Sequence, residues 1–141
     1  PKRRNADDPE ILKGKMLFHG VGCAGCHQPK FVTGQVPEQE HLSNQLIWPY
    51  TDMLLHDMGE GLADGRPDGR ASGQEWRTAP LWGIGLTETV NGHTQFLHDG
   101  RARNVTEAIL WHGGEGQKAR DAFAALPKVD RDRLLAFVNS L

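Results

Sequence analysis

The shortages in this chain narrow what it can be. Cysteine occurs twice in 141 residues. No second pair exists to complete a structural zinc site. Neither sign of charge dominates: Lys and Arg total 16, Asp and Glu 18, for a net charge of -2. That leaves no basic field to attract nucleic acid. Hydrophobic residues make up only 38%, and no apolar run is long enough to span a bilayer. Pro1 to Glu10 is polar and charged, unlike a secretory leader, and the first residue is not Met. The chain therefore reads as a processed or truncated piece of something longer.

Glycine, by contrast, is plentiful, at 17 residues, with 8 prolines. A chain of this length fits one domain, but so polar and Gly-rich a domain has a thin core. A large apolar cofactor would supply the missing interior surface.

The two cysteines stand three positions apart in Gly22-Cys23-Ala24-Gly25-Cys26-His27. The spacing C-x-x-C is open to a disulfide, a redox pair, half a zinc site or, with His next, attachment of a c-type haem. In the last case each thiol bonds one vinyl-derived carbon and His27 supplies the proximal imidazole. Ala24 and Gly25 are small enough for a porphyrin edge to approach. A thioredoxin-like pair requires a strand before the motif and a helix after it. Here Pro9 to His19 reads as helix, and Gln28-Pro29-Lys30 breaks regular structure. Haem attachment is the reading that fits.

Asp8-Pro9-Glu10 is a helix start, with a cap, a first-turn proline and an acid at the positive dipole end. Gly14 and Phe18 share a face of that helix. Residues 28–52 read mostly as loop, with a short helix over Glu38 to Gln45. Gly59 to Gly73 reads as a long exposed loop, and Glu75 to Gly85 as extended. Asn104 or Thr106 caps a helix ending at His112-Gly113-Gly114. Another helix spans about Lys118 to Leu126, and Pro127 ends it. Asp130 opens the last one, whose apolar face carries Leu134, Leu135, Phe137, Val138 and Leu141. The expected architecture is all-α, a cytochrome c-like domain with long loops around one covalent haem. Residues 1–8 read as a linker or chain end and 9–141 as the haem domain. The N- and C-terminal helices are expected to cross at Gly14 and Phe18.

A second axial ligand has several candidates: His41, His56, Met58, His93, His98, His112, Met16 and Met53. His112 ends an amphipathic helix before two glycines, and its alternative is a surface His at a negative helix end. Met58 offers a thioether and is otherwise a core Met. His98 lies in a turn and is otherwise paired to Asp99.

Five stretches, Cys23 to Phe31, Pro49 to Gly59, Trp76 to Thr87, Phe96 to Arg103 and Glu107 to Gly114, carry a resemblance across nearly the whole chain. Together they resemble the C-terminal haem domain of bacterial di-haem cytochrome c peroxidases, nearest the branch labelled di-haem thiol oxidoreductase-like. In that superfamily a His-Asp/Ser-Gly turn, here His98-Asp99-Gly100, precedes a helix ending in the distal ligand, usually Met. The position falls here on His112, so the resemblance implies one haem c with iron held by His27 and His112. It implies an electron-transfer module of a periplasmic di-haem oxidoreductase, without a catalytic residue of its own. The partner would be a second haem domain or a redox protein, since this chain has only one C-x-x-C-H. Arg77, Arg101 and Arg103 are candidates for the propionates. Trp76, Trp82 and His98 are candidates for the haem surroundings. Other readings are a free-standing mono-haem electron carrier and a haem-based redox or ligand sensor. Thr89 to Gln95 is too altered to carry over the family's calcium site.

Overall fold

Helix α1, Pro9–Gly20, begins where its sequence says it should. The Asp8 carboxylate accepts the Glu10 amide at 2.8 Å, Pro9 needs no donor in the first turn, and Glu10 meets the dipole. The computed structural model describes residues 2–141. Of the segment 1–8, Pro1 lies outside the described residues. Within the rest, the Arg4 amide donates to the Ser140 carbonyl at 2.8 Å.

The chain's last helix, α5 at Lys128–Ser140, starts just after Pro127, earlier than the Asp130 start read from the sequence. It crosses α1 in the tightest helix contact of the molecule. Gly14 makes the crossing close: a Cβ there would overlap the Arg133 carbonyl and stand 2.9 Å from Phe137 Cβ. Phe18 seals it, edge-on to Phe137 at 5.3 Å between ring centres. Tyr50 closes an aromatic triangle, 6.1 Å from Phe18 and 5.9 Å from Phe137. Ile11, Val105, Phe123, Leu134, Val138 and Leu141 complete the core. Between the two ends lie helices α2, Thr87–Asn91, α3, Val105–Leu110, and α4, Gln117–Ala125. Asn104 caps α3 by accepting the Glu107 amide at 2.9 Å.

The expectation of an all-α domain is overturned. The structure is 43% helical and carries two small antiparallel sheets, so it is mixed α/β. Strand β1, Phe31–Val32, pairs with β2, Leu46–Ile47, and β3, Leu55–Asp57, pairs with β4, Glu75–Arg77. β1 and β2 lie in the segment read as loop and β4 in the segment read as extended, while β3 falls between them where no element was expected. A strand of two or three residues is too short to display the alternation that marks one. The short helix expected over Glu38 to Gln45 reduces to one 3-10 turn at Glu40–Leu42. The long connections still need backbone partners where they fold onto the core, and they find them in one another.

Candidate functional site

The motif cysteines sit on a 3-10 turn, Cys23–Gly25, directly after α1. Gly22 enters it at φ 97°, a conformation that favours glycine. Both thiols are free. Burial pushes the Cys23 thiol up to about 11. The Cys26 thiol is also raised, first by burial and then by the carboxylates of Asp52 and Glu115. Both are therefore protonated at neutral pH. That is the opposite of the lowered thiol a disulfide oxidoreductase uses.

His27 follows, with its amide bonded to the Cys23 carbonyl at 3.0 Å. Its ring is buried against Phe18, and Nδ1–H donates to the Tyr50 carbonyl at 3.0 Å. Tyr50 adopts φ 55°, rare for an aromatic residue, in a buried position that the core fixes. Burial holds His27 down to about 4, so its imidazole is neutral.

His112 approaches from just past the end of α3. Its Nδ1–H donates to the Ala108 carbonyl at 2.7 Å. Burial lowers its pKa too. A carbonyl can only accept, so in both rings the proton stands on Nδ1 and the lone pair on Nε2. The two ring centres are 6.4 Å apart, with planes inclined at 46°. Two imidazoles gripping one metal ion from opposite sides through Nε2 require about 6 Å between ring centres. Neither Nε2 has a protein partner, yet no fully buried polar side-chain atom among the described residues lacks one. Neither nitrogen is therefore fully enclosed by protein. This donor set, with two thiols beside it, fits a covalently held haem.

Glycines set the approach of the His112 turn. A Cβ on Gly114 would strike the Asp57 carbonyl, and one on Gly113 would lie 2.7 Å from the Met58 carbonyl. Met58 packs on this same turn. A Cβ on Gly116 would meet its Cε at 3.1 Å and His112 Cβ at 3.2 Å. Met58 thus lies beside His112.

The other sequence candidates are elsewhere. His98 stacks flat on Trp76, 3.6 Å between centres and 11° between planes, with Nε2 3.8 Å from Asp99. Trp82 is exposed and lines a cavity of about 350 Å³ with Lys2, Arg3, Lys15, Trp48 and Tyr50. Arg77 is exposed on β4, with Nη1 3.7 Å from Met53 Sδ. Arg101 lies over Trp111, 4.9 Å from the ring centre, and pairs with Asp99. Arg103 pairs with Glu107. So the structure gathers Cys23, Cys26, His27 and His112, while Arg77 meets Met53, Trp82 lines the cavity and His98 stacks on Trp76.

It also gathers residues that sequence reasoning passed over. Asp52, His56 and Glu115 form a chain beside Cys26. The Cys26 thiol, the Asp52 carboxylate and the His56 imidazole lie within 4.8 Å of one another. Both His56 nitrogens are already engaged by carboxylates, which disfavours a metal there. His56 was visible as a ligand candidate, but nothing in the sequence joins it to Glu115.

A family model described as "Di-haem oxidoreductase, putative peroxidase" matches residues 1–141. No curated protein and no solved structure matched the chain.

Proposed function

The chain belongs to the di-haem oxidoreductase, peroxidase-like family, and on that premise we propose that it is the electron-transfer haem domain of a periplasmic oxidoreductase. Cys23 and Cys26 would hold one haem through two thioethers, and His27 and His112 would hold its iron. When bound, the group supplies a one-electron ferric/ferrous couple. One observation carries the reading: two neutral imidazoles 6.4 Å apart, each fixed by its Nδ1–H to a backbone carbonyl.

The rest is done by the chain. The carbonyls of Tyr50 and Ala108 hold both rings in one tautomer and orientation and make Nε2 a better donor. With both imidazoles held on the iron, peroxide would find no free ligand position, which would suit electron passage over substrate binding. An imidazole in place of a thioether favours a lower potential. A family of two-haem proteins needs a second haem. With a single C-x-x-C-H here, that haem belongs to another domain or protein, the proposed partner. Arg77, free of carboxylates among the described residues, would be available to a propionate or an acidic partner.

The test is the absorption spectrum of the protein matured in a periplasm, ferric and dithionite-reduced, with His112→Ala alongside. The wild type is expected to be low-spin and indifferent to carbon monoxide, and the variant high-spin and carbon monoxide-binding. An unchanged variant spectrum would remove His112 from the iron and the electron-transfer argument with it. Reversible carbon monoxide binding by the wild type would point to a sensor instead.

A further inference from the structure

The two imidazole-bearing segments come from distant parts of the chain, and one side chain ties them together. His27 is held by the carbonyl of Tyr50, two residues before Asp52. Asp52 Oδ2 accepts from His56 Nε2 at 2.8 Å. On the other side of the same ring, His56 Nδ1 meets Glu115 Oε2 at 2.8 Å. Glu115 belongs to the turn that follows His112.

Both ends of this chain are anchored again. Asp52 Oδ1 accepts the Leu54 amide at 3.0 Å, and its side chain is only 5% exposed. Glu115 Oε1 accepts the Asp57 amide at 3.1 Å. The neighbouring Thr51 hydroxyl, fully buried, donates to the Thr78 carbonyl at 2.7 Å. β3 thus carries His56 between two fixed carboxylates. Each ionised carboxylate can only accept, so each accepts a hydrogen bond from a ring N–H, and the imidazolium is bonded on both edges.

We infer that Asp52, His56 and Glu115 form a clamp that joins the His27 segment to the His112 segment and sets the separation and tilt of the two imidazoles. The inference rests on the axial-ligand reading above. His56 is here a positioning residue, without contact to the iron. The glycines at 113 and 114 explain why a clamp is needed. They let the turn lie against Asp57 and Met58, but they also leave it the freest backbone near His112. Glu115 is the first side chain after them that can fix the turn. The clamp also lies against the Cys26 thiol, so it borders the attachment edge as well as the axial pair.

The experiment compares His56→Ala and Glu115→Gln with wild type as full-length, periplasm-matured protein. It reads the ferric spin state, the anisotropy of the low-spin electron paramagnetic resonance signal, and carbon monoxide affinity of the ferrous form. Glu115 is half-exposed, so its variant tests the clamp even if His56→Ala fails to fold. Both variants are expected to show a mixed spin state, altered anisotropy and carbon monoxide binding raised about 10-fold or more, the usual scale for loss of a supporting partner. Amide exchange at Gly113 to Gly116 should quicken in parallel. If folded variants keep the wild-type spectrum, anisotropy and carbon monoxide behaviour, the clamp is wrong. A change in His56→Ala without one in Glu115→Gln also overturns it, because one tether cannot join two segments. If His112→Ala itself leaves the spectrum unaltered, it is the axial reading that has failed, a separate and recognisable result.

Discussion

His56 takes its charge from its neighbours. Glu115 raises its pKa most, burial opposes, and Asp52 adds to the rise. A histidine raised on folding contributes stability that is complete below its unfolded value and lost as pH climbs through its folded one. Full-length wild type should therefore exceed His56→Gln in urea resistance by most near pH 6, and the gap should close towards alkaline pH. A gap that is constant or widens with pH would mean that the ring is held neutral. On the acid side, Asp52 and Glu115 are held below the ordinary carboxylate range. For Asp52, burial pushes upward and is outweighed by bonds from the Leu54 amide, His56 and Thr78. For Glu115, the bond to His56 comes first. Their contribution persists until pH falls through those lowered values.

At the scale of elements, the crossing of α1 and α5 is the strongest claim. Gly14→Ala improves helix propensity by about 1 kcal/mol, but its methyl would overlap the Arg133 carbonyl. Overpacking of this kind costs about 1–3 kcal/mol, so the expected result is a net loss in chemical denaturation. Unchanged or greater stability would mean that the helices can part freely at Gly14. This crossing was legible beforehand, since a glycine and a phenylalanine four apart on one apolar face announce a close neighbour. The strands were not. Phe31 pairs with Ile47, and Leu55 with Arg77, across connections that carry no periodic signal. Backbone pairing between short segments is decided by where the rest of the chain puts them.

For the whole molecule, the cofactor is expected to be part of the fold. A ligand that binds only the native state stabilises it by mass action, and a covalent one does so without dissociating. Chain made without c-type maturation should melt about 10 °C or more below the haem-bearing form, the shift a few kcal/mol produces at this size. Differential scanning calorimetry would read it, and equal melting temperatures would show that the polypeptide needs no cofactor to fold. The apo chain should exchange amides fastest near Cys23 to His27 and His112 to Glu115. The aromatic triangle of Phe18, Tyr50 and Phe137, buried in the core, should exchange slowest.

The sequence by itself determined the C-x-x-C-H motif, the terminal helices and the family resemblance. Covalent chemistry demands fixed residue types at fixed spacing, and helix caps and faces are local. Tertiary structure decided which distant groups meet. It brought His112 to within ligand distance of His27, turned the Tyr50 carbonyl onto a ring nitrogen, and closed Asp52 and Glu115 on His56. A carbonyl has no residue identity, and a carboxylate in a glycine-rich turn resembles any other until the fold gives it a partner. Sequence could name the imidazoles, but their separation comes from the packing of segments some eighty residues apart and from the hydrogen bonds that hold those segments in register.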